Sequence, residues 1–199
     1  MERSEALAIV REFVKNENLV KHMFSVEAAM RFYAEKLNED VELWGIVGLL
    51  HDFDWEIHPT ADEHPSKGEP LLRERGVPEV IIRAILSHAD HAGIPRETLM
   101  EKALYACDEI TGLITATALV RPSHSLIDLK VKSVKKKWKN KHFAAGANRA
   151  EMEQGARNLK LSFGSMSAMS LKRCAESHRN WGWRGKLSNA QYPTHLVEK

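Results

Sequence analysis

The chain has 199 residues, of which 43% are hydrophobic and 28% are charged. These proportions are typical of a globular protein and exclude disordered, collagen-like and coiled-coil classes. A formal net charge of +2 is too small to indicate nucleic-acid binding by the whole chain. Two cysteines cannot form a disulfide framework, and no apolar stretch suits a signal peptide or a bilayer span. We therefore expect a cytoplasmic protein without a membrane partner.

The charges are divided unevenly along the chain. Residues 1–161 carry 23 basic and 25 acidic side chains, whereas residues 162–199 carry six basic and two acidic side chains. A change of this kind is typical of a domain followed by a segment of different character. The composition predicts one folded domain over 1–161 and an atypical basic tail over 162–199.

Apolar residues recur with helical spacing through most of the predicted domain, and no segment alternates convincingly with the period of a strand. We therefore predict an all-α fold. A loop is predicted over 57–66, where prolines and polar residues interrupt the pattern. A further helix over 165–177 is a weaker prediction. The main predicted helices cover 4–15, 19–37, 41–55, 65–75, 78–91, 95–119, 124–139 and 145–159.

Ionisable residues stand within the most apolar of these helices. His22 lies on the apolar stripe of the helix predicted over 19–37. His51 and Asp52 lie in GIVGLLHDFDWE, and Asp108 lies in KALYACDEITGLITA. A buried carboxylate needs a cation, and side chains on separate helices of a bundle can converge in its core. An isolated His-Asp pair is explained by capping or by a salt bridge. The whole set instead predicts a site for divalent Mn, Fe, Co, Ni or Zn rather than calcium.

The order His, His-Asp, Asp resembles the HD-domain family of metal-dependent phosphohydrolases, in particular small bacterial HD proteins of unassigned substrate. The segments that carry the resemblance are KHMFSVEAAMR, GLLHDFDWE and LYACDEITGLI. It covers residues 15–120 and implies a helical bundle with the metal site in its core. It implies that the metal ligands are His22, His51, Asp52 and Asp108. Asp52 would be the bridging group if two ions bind.

Two further segments resemble the two-metal branch of that family, the cyclic-dinucleotide phosphodiesterases. EHPSKGEPLL is similar to a His-Pro-x-x-Gly segment whose ligand histidine would be His64. AILSHADH is similar to a paired-histidine segment in which Ser87 replaces one histidine and His88 is kept. The resemblance implies His64 and His88 as second-site ligands, with exposed histidines as the alternative for each. His91 is a weaker candidate, and the departures at Ser87 and after Asp52 argue against a cyclic-dinucleotide substrate.

The resemblance implies hydrolysis of a small phosphorylated substrate, a phosphomonoester or a nucleotide. Water activated on one or two divalent ions (Mn, Fe, Co, Ni, Zn or Mg) would be the nucleophile. Asp54 is a candidate catalytic acid or base, or a group that orients a ligand histidine, and Glu56 shares these roles. Exposed carboxylates at a helix end are the alternative for both. Lys67 is a candidate contact of the substrate phosphate. A regulatory HD domain that binds metal or nucleotide without catalysis is the alternative function.

The segment Lys130–Lys141 contains seven lysines along one predicted helix. It is either a solvated face or a positive rim that attracts phosphorylated substrates or a polynucleotide. Because aromatic residues do not interleave with the lysines, we expect no nucleic-acid partner. The atypical tail reflects either a late change of reading frame or a partner-binding or dimer-forming extension with Trp181 and Trp183 as anchors, so self-association is left open. Surface positions are predicted for His58, His124, His142, His178 and His195.

Overall fold

A bundle of α-helices forms the regular structure of the protein. The computed structural model describes residues 1–140, 142–144 and 148–180, and within these ranges the chain is all-α, as predicted. A 3-10 turn follows the fifth helix at Asp90–Ala92. The helices are α1 (Arg3–Phe13), α2 (Glu17–Leu37), α3 (Val41–Leu50), α4 (Glu69–Glu74), α5 (Glu79–Ser87), α6 (Leu99–Leu119), α7 (Val131–Trp138), α8 (Arg149–Asn158) and α9 (Phe163–Asn180).

Two long helices, α2 and α6, form the centre of the bundle and pack against each other. The side chain of Asn16 caps α2 by accepting a hydrogen bond from the backbone N–H of Asn18, and Asn38, with φ 58°, ends the helix. Thr98 and Glu101 form a capping box at the start of α6. Satisfied end groups of this kind fix where a helix begins. The caps therefore set the register of the two helices that carry His22 and Asp108.

The apolar helix α3 packs closely on α2. Its residues from Trp44 to Leu50 are all buried. A Cβ atom at Gly48 would lie 3.0 Å from the backbone nitrogen of Glu27, so the missing side chain lets the two helix backbones approach. This contact places the end of α3, where His51 follows, directly against α2.

Several helices are shorter than the sequence predicted. The third was expected to reach Trp55 but ends at Leu50, and residues 51–57 form successive turns. These turns direct the polar side chains of His51, Asp52 and Asp54 inward, which one continuous helix face would not do. The helices predicted from 65, 78 and 95 begin at Glu69, Glu79 and Leu99. The prediction was wrong here because Pro65, Pro78 and Pro95 lie before the first helical turn instead of within it.

Two helices toward the C-terminus also have bounds that differ from the predicted ones. The helix predicted over 124–139 begins only at Val131, since His124 has a positive φ of 46° and residues 121–130 form turns. The helix predicted over 145–159 is observed as α8, Arg149–Asn158, where Asn148 is the N-cap. A polar cap residue thus fixes the start of α8 within a segment whose apolar periodicity is weak.

Helix α9 follows the predicted domain boundary at residue 161 and packs against α2, α6, α7 and α8. Its inner face buries Met166, Leu171 and Cys174 in the same hydrophobic core as the other helices. Trp181 and Trp183 lie outside the described residues. Among the helices of the described ranges, none combines the length and the apolar character needed to cross a bilayer.

Candidate metal centre

Four predicted residues meet in the core, and we call them the first ligand group: His22, His51, Asp52 and Asp108. His22 comes from α2, Asp108 from α6, and the other two directly follow α3. The Nε2 atom of His22 lies 3.2 Å from Nε2 of His51 and 3.0 Å from Oδ1 of Asp108. Nε2 of His51 lies 3.4 Å from Oδ2 of Asp52. The structure therefore brings together the residues that the sequence placed on three separate helices.

A second ligand group lies beside the first and shares Asp52 with it. Its members are Asp52, His64 and His88. Oδ1 of Asp52 lies 3.3 Å from Nε2 of His64 and 3.7 Å from Nε2 of His88. The two histidine nitrogens are 3.1 Å apart. Because one oxygen of Asp52 faces each group, this carboxylate has the position of a bridging ligand.

The outer nitrogens of the ligand histidines decide how the inner ones are protonated. Nδ1 of His51 lies 2.9 Å from the carbonyl oxygen of Gly48, and Nδ1 of His88 lies 2.5 Å from that of Ile85. A carbonyl oxygen only accepts hydrogen bonds, so in each neutral ring the proton is on Nδ1. The Nε2 atom of each ring then carries a lone pair that faces into the site.

Asp54 fixes the third of these rings. Its Oδ1 atom lies 2.8 Å from Nδ1 of His64, and the carboxylate is completely buried. A Cβ atom at Gly68 would lie 2.5 Å from the other oxygen of Asp54, so only glycine leaves room for this carboxylate. A carboxylate behind a metal-binding histidine sets its tautomer and orientation. The importance of Gly68 could not be foreseen, because only the fold brings the two residues into contact.

The result is a set of acceptor atoms that point at one another in a buried space. Imidazole lone pairs and carboxylate oxygens lie within 4.8 Å of one another in each group. Such atoms repel each other unless a cation lies among them or protons are taken up. Mixed imidazole and carboxylate donors suit a divalent transition metal. The residues present therefore fit the metal that the sequence predicted.

The pKa shifts of the ligand residues agree with a site that suits a cation. Burial disfavours a charge on His51, but the carboxylates of Asp52 and Asp108 outweigh it and raise the pKa of His51 well above its ordinary value. Burial likewise opposes ionisation of both carboxyls, yet the neighbouring histidines hold the pKa of Asp52 and the pKa of Asp108 below the usual range. Asp52 and Asp54 raise the pKa of His64 to about 9 against the effect of burial. The site attracts positive charge.

The remaining candidates lie around the site without joining either group. Lys67 has an exposed side chain and pairs with Glu63 at 2.6 Å. Glu56 accepts hydrogen bonds from the backbone N–H groups of residues 15 and 16, at 2.8 and 3.0 Å, and so fastens the turn between α1 and α2. Nε2 of His91 lies 2.6 Å from the carbonyl oxygen of His64. Ser87 turns its hydroxyl back to the carbonyl of Ala84, at 2.9 Å, and points it away from the second group.

Of the histidines predicted at the surface, His58, His124 and His142 are not buried. The side chain of His178 and the whole of His195 fall outside the described part of the chain. Two neighbours of the site were missed by the sequence. The ring of Trp55 packs edge-on against His64, with centroids 4.9 Å apart. Glu109 accepts the backbone N–H of Asn148 at 2.8 Å, and burial followed by nearby carboxylates raises its pKa.

Access to the site is one-sided. The side chains of His22 and His51 are fully buried, whereas 14% of the Asp108 side chain and 5% of the His88 side chain are exposed. The described residues thus leave the edge formed by Asp108 and His88 closest to solvent.

Comparison with known proteins agrees with the geometry, since residues 19–113 match the family model described as HD domain. This segment is therefore similar to HD domains. It runs from α2 to the middle of α6 and contains every member of both ligand groups. The resemblance seen in the sequence is confirmed, and proteins of the HD-domain family are generally metal-dependent phosphohydrolases.

One curated relative of the HD domain is ribonuclease Y of Lactobacillus acidophilus (strain ATCC 700396 / NCK56 / N2 / NCFM). It is 29% identical over 96 residues, which are 48% of this chain and 17% of that protein. The match therefore covers a small part of the relative's length. No solved structure matches this chain significantly.

Proposed function

We propose that this chain is a phosphohydrolase that holds two divalent ions and cleaves a phosphomonoester or a nucleotide-like phosphate ester with metal-activated water. The observation that carries the proposal is the pair of acceptor groups joined by Asp52. The first group would hold one ion, and the second group would hold the other. A carboxylate with one oxygen toward each group suits a pair of ions acting on one phosphate.

The chemistry supplied by bound ions is a lowered pKa of coordinated water and neutralisation of the charge that develops on the phosphoryl oxygens. The protein's own residues prepare the site for it. The buried rings of His22 and His51 keep bulk water away from one side. Asp54 accepts a hydrogen bond from the Nδ1–H group of His64, and we assign it this orienting role in preference to a direct catalytic one.

The two groups differ in their number of ligands. The first has four protein ligands and the second has three, because Ser87 stands where a further histidine would complete it and its hydroxyl is bonded within α5. A protein site with fewer ligands leaves positions for water or substrate. Both groups reach the exposed edge, the first through Asp108 and the second through His88, so the number of ligands distinguishes them. We therefore assign substrate contact to the second ion.

An RNA phosphodiester is a second candidate substrate. The relative is named as a ribonuclease, and the positive charge of α7 favours a polyanion. The sequence from Leu129 to Ala150 contains no acidic residue. Lys132, Lys135 and Lys136 on α7 are exposed, with no ion pair to any described residue. This candidate departs from the expectation of no nucleic-acid partner and needs a direct test.

Metal analysis followed by a substrate panel tests the proposal. The purified protein is analysed for bound metals, depleted of them, and resupplied with Mn²⁺ or another divalent ion. It is then assayed for phosphate release from phosphomonoesters and nucleotides and for cleavage of an RNA oligonucleotide. We expect hydrolysis that depends on metal and is lost in Asp108→Asn. Asp62→Asn, which changes an exposed aspartate that belongs to neither group, is the matched control.

Each outcome of this experiment is decisive. A wild-type protein that binds no divalent metal contradicts the proposal. Metal binding without cleavage of any ester favours the regulatory alternative, a binding domain without catalysis. Cleavage of the oligonucleotide alone replaces the small substrate by the polyanion.

A further inference from the structure

We propose that His91 and Arg96 are positioning residues that hold His64 and His88 at the separation one ion requires. The proposal rests on the second ion of the proposed function. It adds a role for His91 and Arg96, neither of which is a metal ligand. We call the 3-10 turn Asp90–Ala92 together with Arg96 the bracket. It contacts the carbonyl oxygen of His64 and that of Ser87, the residue before His88.

One arm of the bracket reaches His64. This histidine lies in a run of turns between α3 and α4, so no helix fixes its backbone. The Nε2 atom of His91 is 2.6 Å from its carbonyl oxygen, across 27 positions of sequence. Because that oxygen only accepts, His91 donates the Nε2 proton. Asp54 fixes the ring of His64, and His91 fixes its main chain.

The other arm reaches the residue before His88. Nη1 of Arg96 donates to the carbonyl oxygen of Ser87 at 2.9 Å, immediately after which the chain leaves α5. The guanidinium also pairs with the carboxylate of Asp90 and lies over the ring of Tyr105, 3.7 Å from its centroid. The Tyr105 hydroxyl donates to the other oxygen of Asp90 at 3.2 Å. The end of α5 is thus tied to α6.

The link to α6 matters because that helix carries both Tyr105 and Asp108. Tyr105 is 4% exposed and packs into the helix bundle, so it gives the bracket a rigid base. Gly93, with φ 69°, ends the 3-10 turn in a conformation that suits glycine and reverses the chain toward Arg96. One short segment therefore relates both second-group histidines to the helix that carries a ligand of the first group.

The bracket predicts a selective effect on ion binding. Groups that orient metal ligands typically contribute about 10- to 100-fold to metal affinity. Loss of the His91 hydrogen bond should lower the affinity for the second ion by about that factor and leave the affinity for the first ion unchanged. His91 is exposed, so its replacement should not disturb the core. His91 belongs to neither ligand group, and its Nε2 atom faces the carbonyl oxygen of His64.

Equilibrium dialysis with Mn²⁺ tests the bracket on the full chain. We compare wild type, His91→Ala, His91→Gln and Arg96→Lys, with His142→Ala as an exposed-histidine control. Wild type and the control should bind two ions. His91→Ala and Arg96→Lys should keep the first ion and bind the second about 10- to 100-fold more weakly. His91→Gln should recover most of the affinity, because its amide can donate the same hydrogen bond.

A second measurement does not depend on metal. In metal-free protein, the exchange of the His64 Nδ1 proton with solvent can be followed by NMR. We expect faster exchange in His91→Ala than in wild type or His142→Ala. Unchanged exchange and unchanged Mn²⁺ affinity in His91→Ala would overturn the proposal, as would equal losses in the alanine and glutamine variants. If wild type takes up no second ion, the proposed function fails, and the exchange measurement still decides the role of the bracket.

Discussion

The two ligand groups share Asp52 but are built from different kinds of structure. His22 and Asp108 lie within long helices, and His51 directly follows a helix packed on α2. In the second group, His88 follows α5 as His51 follows α3, but His64 lies in turns. Helix packing distributes its stabilisation over many contacts, whereas the second group depends on a few hydrogen bonds. The first group should therefore tolerate changes in its surroundings that the second group does not.

Replacing the shared ligand should abolish this difference, and Asp52→Ala is expected to have the largest effect of all. Both ions lose a carboxylate oxygen, so we expect the affinity for each to fall at least about 100-fold, beyond the range of orienting groups. Elemental analysis and Mn²⁺ dialysis measure both losses.

His22→Ala and His88→Ala are the one-sided comparisons for Asp52→Ala. The first should lose one ion from the first group, and the second should lose one from the second group. An Asp52→Ala protein that keeps one ion at wild-type affinity would show that the carboxylate does not bridge the two groups.

Asp54→Asn should affect ion binding by the second group and not by the first. The substitution keeps the size of the side chain but removes the charge that orients His64. We expect the second ion to bind about 10- to 100-fold more weakly and the first to be unchanged. Dialysis against Mn²⁺ measures both affinities, and Asp62→Asn is the control for loss of an exposed carboxylate. Equal weakening of both ions would mean that Asp54 stabilises the whole site rather than one ligand.

Gly68→Ala should act on the second group only through the steric effect of the added methyl group. The added Cβ would lie 2.5 Å from Oδ2 of Asp54, so the carboxylate or the turn has to shift. Overpacking of this kind costs about 1–3 kcal/mol of unfolding free energy. We expect urea denaturation to show this loss of unfolding free energy, and we expect the affinity for the second ion to fall a few-fold.

Gly76→Ala is the matched control for Gly68→Ala. Gly76 has φ 67° and nothing within 4 Å of an added Cβ. Backbone strain should lower the stability of this variant by about 1–3 kcal/mol without an effect on ion affinity. If Gly68→Ala loses stability but binds both ions normally, the position of Asp54 does not control the second ion.

The same contrast explains how much of the structure the sequence could predict. Apolar periodicity predicted α2 over 19–37 and α6 over 95–119, close to the observed helices. Polar side chains inside such apolar stripes are conspicuous, because burial without a partner is costly. His22 and Asp108 could therefore be assigned to one core site before any coordinates were known.

The second group and its surroundings were harder to predict from the residues themselves. His64 and His88 were found through resemblance to a family, because turns have no periodicity that reveals which side faces inward. The roles of Glu56, Gly68 and His91 depend on contacts between residues far apart in sequence, from Asp54 with Gly68 up to the 41 positions between Glu56 and Lys15. Only the folded chain brings such partners together. Helix α9 was the weakest helix prediction for a related reason, since serines interrupt its apolar face.

The lysines of α7 lie outside both ligand groups and should give the smallest effect. If their uncompensated charge attracts a phosphorylated substrate, the double variant Lys135→Glu/Lys136→Glu should raise KM about two- to five-fold at low ionic strength. Ion affinity and kcat should not change, and the effect should vanish at high salt because screening shortens the reach of the field. Lys36→Glu, on an exposed position of α2, is the control for total charge. An equal KM in both variants at low salt would make α7 a solvated face, and selection of the substrate would then depend on the metal centre alone.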